Sequence, residues 1–173
     1  MDFERELARC VSLDALRAIR AMPRERGENL PCRPGTDRAL SNGPTPWPQY
    51  ILIVERDGRL RLLLAEEFAL EGYTVMAVSG PVEALAAVAQ KLPDLVVLDI
   101  QPHDSEGNVL MTHLLTLDSR LPIIVYTGHE QFLDAYRAWG AHACVLKSSD
   151  LSELKGVVRE ALDAAAGAAV PVG

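Results

Sequence analysis

Residues 94–100 read DLVVLDI. Its four central residues, Leu95 to Leu98, are apolar without a break. A strand apolar at every position is covered on both faces, which is the habit of parallel sheets wrapped by helices. The run ends on an acid, Asp99, so the next question is whether other strands of the same kind end on chemistry too. Upstream, YILIV (50–54) is a second buried run, and YTVMAV (73–78) a third. Downstream come PIIVYT (122–127) and HACVL (142–146).

Helical periods fill the intervals. GRLRLLLAEEFALE (58–71) repeats its leucines at helical spacing, and Gly72 follows as a terminating glycine. A helix is expected to start at Ser79, with Pro81 and Glu83 in its first turn, and to break at Pro93. Residues 106–117, 130–139 (ending at Gly140) and 150–166 supply three more. Five strands alternating with five helices predict an α/β domain with a doubly wound, five-stranded parallel sheet and right-handed crossovers.

Residues 1–48 are different. Phe3, Leu7, Cys10, Val11, Leu16, Ile19 and Met22 suggest an amphipathic helix over 1–22. Residues 23–48 hold six prolines and three glycines and read as a linker. The expected division is therefore 1–22, a linker 23–48, a globular domain 49–166 and a flexible tail 167–173.

The chain carries a net charge of −7, distributed unevenly. Residues 1–48 hold eight arginines against seven acids, while residues 49–173 hold nine Lys/Arg against seventeen acids. An acidic domain with no basic stripe argues against nucleic acid as a partner. No apolar run approaches the roughly 18 residues of a membrane span. Three cysteines, Cys10, Cys32 and Cys144, lack metal or redox spacing, and with no secretory signal pattern they fit a cytoplasmic protein.

In an open parallel sheet, ligands bind beyond the carboxyl ends of the strands. The residues standing there are Glu55, Arg56 and Asp57, then Ser79, Asp99, Thr127 with Gly128, and Lys147 with Ser148. Carboxylates, a hydroxyl and an ammonium converging on one sheet edge suit a phosphoryl group. Asp99 can act as nucleophile or metal ligand, Thr127 as hydrogen-bond donor and Lys147 as point charge. Singly each has a plain alternative as a cap, a strand end or a solvated charge; the combination is far more specific. No glycine-rich phosphate loop follows the first strand, where ERDG stands, which argues against a nucleotide or flavin enzyme.

ILIVERD, DLVVLDIQPHDSEG, LPIIVYTG and GAHACVLKSSDLSEL together resemble the receiver domain of bacterial two-component response regulators, over about residues 49–164. Gly107, eight residues after Asp99, also matches. The resemblance implies a flavodoxin-like sheet of order 2-1-3-4-5. It implies a signalling phosphoacceptor rather than an enzyme, taking a phosphoryl group from a histidine kinase or phosphotransfer protein. Asp99 matches the phosphoacceptor, Thr127 the switch hydroxyl and Lys147 the phosphate-pairing lysine. Mg²⁺ is the implied cofactor, with Glu55, Asp99 and the backbone carbonyl of Gln101 as ligands. The implied output is stand-alone, through contacts with a downstream protein or a homodimer, on the face of the fourth helix, fifth strand and fifth helix. Trp139 there is either an anchor or a packed helix end.

Several positions depart from the family pattern. Arg56 stands at the second acidic position, where it cannot ligate a metal. It can pair with Asp99 or Glu55, or point to solvent, and Asp57 can substitute for the missing carboxylate if the loop shifts. Cys144 replaces the switch aromatic and reads as a small apolar filler. Ser148 replaces the proline after Lys147, which removes the usual cis bond. In the loop after Asp99, Pro102 comes one residue early and His103 with Asp104 form a candidate pair, read mainly as solvated. These departures leave a second reading open, a pseudo-receiver that binds proteins without phosphoryl chemistry.

Overall fold

A computed structural model of the protein describes residues 48–101 and 105–167. The readings of residues 1–22 and 23–47, of Pro102, His103 and Asp104, and of the tail from residue 168 lie outside the described residues.

Strands β1 (Tyr50–Val54), β2 (Thr74–Val78), β3 (Leu95–Leu98), β4 (Ile123–Thr127) and β5 (Ala143–Leu146) form one sheet in the order β2-β1-β3-β4-β5. Every neighbouring pair is parallel. Helices α1 (Gly58–Leu70), α2 (Pro81–Gln90), α3 (Ser105–Leu117), α4 (Leu133–Ala138) and α5 (Ser152–Gly167) alternate with them. Side chains of a strand alternate between faces, so the unbroken apolar runs feed two cores. Leu52, Val54, Val96, Leu98, Ile123 and Val125 pack with α2, α3 and Tyr136 of α4. Ile51, Ile53, Leu95, Val97, Ile124 and Tyr126 pack with Leu64 and Phe68 of α1 and with α5. The predicted doubly wound sheet is thus present, with β2 its half-exposed edge strand.

Local differences have physical causes. The α2 cap is Gly80, one residue later than Ser79, with Pro81 at the first helical position. Glu83 reaches back instead, accepting from the Ser79 amide at 2.7 Å and its hydroxyl at 2.6 Å. The helix expected over 130–139 begins as a 3₁₀ turn, Glu130–Phe132, before α4. His129 provides no capping side-chain bond there, and a first turn without a cap closes tightly. Gly72 and Gly140 end their helices at φ +93° and +103°, where a side chain would be strained.

Candidate functional site

The ladder itself aligns the strand ends. The Glu55 amide donates to the Val78 carbonyl at 3.0 Å and the Asp99 amide to the Val54 carbonyl at 2.9 Å. The Lys147 amide donates to the Thr127 carbonyl at 2.7 Å. Glu55, Asp99, Thr127 and Lys147 thereby arrive at the same sheet edge, and the first three are buried.

Lys147 joins the two acids. Its Nζ lies 2.7 Å from Oε2 of Glu55 and 3.1 Å from Oδ1 of Asp99. Oε1 of Glu55 accepts from the Asp57 amide at 3.0 Å. The contact at Oε2 is one of charge, and that buried oxygen has no aligned donor. Burial pushes the Glu55 carboxyl above its ordinary value and the Asp99 charge adds to this, more than Lys147 and the Asp57 amide offset. Burial works to lower the Lys147 ammonium, yet the two carboxylates outweigh it and hold the group above its ordinary value. The site is therefore a triad in which one half-buried cation stands between two buried acids.

Thr127 is fully buried. Its hydroxyl donates to the Ile100 carbonyl at 3.0 Å and accepts from the His129 amide at 3.3 Å. Cys144 is buried in the core between the sheet, α3 and α4, and burial raises its thiol, which fits an apolar filler. No described peptide bond is cis, the Lys147–Ser148 bond included.

The β1 end is organised by α1. Asp57 caps that helix, its Oδ1 accepting from the Arg59 amide at 2.9 Å and the Leu60 amide at 2.8 Å. The Leu60 amide does most to hold this carboxyl below its ordinary value. The Arg61 guanidinium donates to the Glu55 carbonyl at 2.8 Å and to the Arg56 carbonyl at 3.3 Å, pinning the turn from inside the helix. Arg56 and Gln101 are exposed at the rim.

Two residues escaped the sequence reading. Arg61 lies within the helical run 58–71 and was not singled out. Tyr126 sits in the strand run before Thr127, 1% exposed, and its hydroxyl bonds to the backbone of Ser148. A tyrosine in a fully covered strand needs a partner for its hydroxyl, and that need was the available signal.

Comparison with known proteins decides the family. The model of the response regulator receiver domain matches residues 51–159. The chain belongs to that family. The receiver is 29% identical over 116 residues to sporulation initiation phosphotransferase F of Bacillus subtilis, covering 66% of this chain and 94% of that protein. It is 32% identical over 114 residues to the regulatory protein AtoC of Escherichia coli, covering 65% of this chain but only 25% of AtoC. The chain thus spans about a quarter of that larger regulator. Among solved structures, a CheY-like receiver protein from Methanospirillum hungatei matches with a TM-score of 0.65 and 25% identity, covering 70% of this chain and 99% of that one. The regulator TrrA of Thermotoga maritima, solved in complex with Mg²⁺–BeF, matches with a TM-score of 0.60 and 29% identity, covering 65% of this chain and 98% of that one. Among the described residues, no helix is long and apolar enough to cross a membrane.

The acidic corner offers Mg²⁺ fewer uncommitted carboxylates than the family pattern implies. The ion demands near-octahedral oxygen ligands. Here an arginine stands at position 56, and Asp57 is committed to the helix cap. Glu55 and Asp99 both engage Lys147. Among the described residues, no cluster of three or more His, Cys, Asp or Glu side chains is placed to hold a metal.

Proposed function

We propose that this receiver takes a phosphoryl group onto Asp99 from the phosphohistidine of a histidine kinase or phosphotransfer protein. The observation that carries this reading is the Lys147 ammonium 3.1 Å from a buried Asp99 carboxylate. An Asp99 oxygen attacks phosphorus, the phosphorus–nitrogen bond breaks, and the imidazole leaves with the electron pair and takes up a proton. Such transfers rest on positioning and charge neutralisation. Lys147, already between two anions, is the group that follows the charge onto the phosphoryl oxygens. The Thr127 hydroxyl, which donates to the Ile100 carbonyl at 3.0 Å in the unphosphorylated chain, exchanges that carbonyl for a phosphoryl acceptor. The domain acts as a signalling phosphoacceptor in the cytoplasm, over residues 49–166. Its output is a protein contact, with a downstream target or a second copy, on the face where Trp139 and Leu146 are exposed.

One observation favours the alternative, a pseudo-receiver that works without phosphorylation. The acidic corner is short of a carboxylate, since Arg56 holds one position and Asp57 caps α1.

Intact mass after incubation with phosphoramidate separates the two. The full chain is expected to gain one phosphoryl group with and without added Mg²⁺, and Asp99→Asn to gain none. A wild-type chain that takes up nothing under either condition leaves the interaction-module reading standing.

A further inference from the structure

Lys147 must hold a flexible four-carbon side chain over two carboxylates, and its own strand has just ended at Leu146. The following loop is tied down on several sides. The Lys147 amide bonds to the Thr127 carbonyl at 2.7 Å. The Asp150 amide bonds to Oγ of Ser148 at 3.1 Å, and Oδ1 of Asp150 accepts from the Ser152 amide at 2.9 Å, starting α5. The remaining tie comes from the neighbouring strand. The Tyr126 hydroxyl donates to the Ser148 carbonyl at 3.2 Å and accepts from the Ser148 amide at 3.3 Å. A hydroxyl carries one donor and two acceptor sites, so both bonds form at once. The same ring lies with its centroid 5.8 Å from Nζ of Lys147. Tyr126 therefore meets the residue after Lys147 with its hydroxyl and approaches the ammonium with its ring.

We propose that Tyr126 is the positioning residue for Lys147, latching the β5–α5 loop through both backbone groups of Ser148 so that the ammonium stays over Glu55 and Asp99. Both partners of the latch depend on this sequence. A proline at 148 has no amide hydrogen to give, and a residue without a hydroxyl at 126 bonds neither group. The ring is fixed by the core, packed on β4 among Ile53, Val97, Ile124 and Val145. It therefore has little freedom to give up, and the strand's rigidity passes to the loop.

This inference rests on the phosphoacceptor reading of Asp99, so its test carries one readout that needs no phosphoryl transfer. Tyr126→Phe keeps the ring and removes only the hydroxyl. In the unphosphorylated full chain, amide exchange at Ser148, followed by NMR, is expected to quicken about ten-fold, the loss of one net hydrogen bond. With phosphoramidate, the maximal rate of adduct formation is expected to fall about ten-fold while the half-saturating donor concentration changes less than two-fold. A group that aligns the charge for the transition state affects the first more than the second. Tyr73→Phe, a hydroxyl removed at the far end of the sheet, serves as control and is expected to change neither. Wild-type exchange at Ser148 in Tyr126→Phe overturns the latch. Faster exchange with an unchanged maximal rate overturns the positioning role. If the wild-type chain forms no adduct, the phosphoacceptor reading fails, and the exchange measurement alone decides whether Tyr126 holds the loop.

Discussion

The tip of β1 and the paired tips of β4 and β5 flank Asp99, at the end of β3, from opposite sides, and they are built in opposite ways. At β4 and β5 the functional groups hang on buried structure. Thr127 is fully enclosed, Lys147 is bonded through its backbone to Thr127, and Tyr126 ties the next residue down. At β1 only Glu55 is buried; Arg56 and Asp57 lie in an exposed turn that Arg61 and the α1 cap hold together. The cation side is coupled to the fold, so changing it disturbs the protein. The acidic side is coupled mainly to a helix start, so its chemistry can change while the sheet stays as it is. A receiver with an ordinary fold and an altered acidic corner is what that arrangement permits.

Removing the cation breaks the comparison most severely. Lys147→Ala leaves Glu55 and Asp99 buried side by side without their counter-charge. Losing one partner of a buried ion pair costs about 3–5 kcal/mol. Partial exposure of Lys147 to water screens the pair and brings the expected loss to about 2–3 kcal/mol at pH 7. The loss has a direction in pH. Burial already holds the Glu55 carboxyl above its ordinary 4.5, and the variant lacks the lysine that opposed this. With the folded value above the unfolded one, the native state binds a proton that the unfolded chain does not. The deficit therefore shrinks as pH falls through the raised value toward 4.5. Urea denaturation at pH 7 and pH 5 measures it, and equal stability of variant and wild type at both would contradict the triad account.

A change at the other tip sharpens the contrast. Arg56→Asp replaces a cation at the rim with a third carboxylate beside Glu55 and Asp99. Affinity for Mg²⁺, read by titration calorimetry, is expected to rise about ten-fold or more, because the ion favours carboxylate oxygens. The denaturation midpoint is expected to stay nearly where it was, as exposed substitutions usually leave it. An unchanged affinity would show that Arg56 is not what keeps the metal out.

The same contrast marks how far the sequence could be read. The parallel sheet follows from continuous apolar runs such as LVVL, its strand order from the family resemblance alone, and the convergence of Asp99, Thr127 and Lys147 from parallel strands ending at one edge. Those rules concern buried backbone, where few arrangements exist. The β1 turn was not legible, because its two exposed charged residues, Arg56 and Asp57, admit several placements of similar energy. Whether Asp57 faced the pocket or the helix depended on Arg59 and Leu60 presenting their amides to it. The Tyr126–Ser148 bonds join residues far apart in the chain, and no local pattern announces them. The start at Ser79 was missed for a simpler reason. A glycine can take the extended cap backbone, and Glu83 found a better use for the serine.

The smallest expected effect decides the last open role at β1. Asp57→Ala removes a helix cap that satisfies two amides of α1. Thermal unfolding is expected to drop by about 2–4 °C. The Leu60 and Arg59 amides hold this carboxyl below its ordinary 3.8, so its contribution is fully present above that value. It is lost as pH falls through the lower folded value, and the gap between variant and wild type should close there. Magnesium provides the discriminating condition. A carboxylate that caps a helix stabilises it with or without the ion, so the gap at neutral pH should be the same in chelator and in millimolar Mg²⁺. A gap that widened with Mg²⁺ would mean that Asp57 leaves the cap to complete a metal site. The acidic corner would then be repairable from within its own turn, and the asymmetry between the two tips would be smaller than the cap geometry implies.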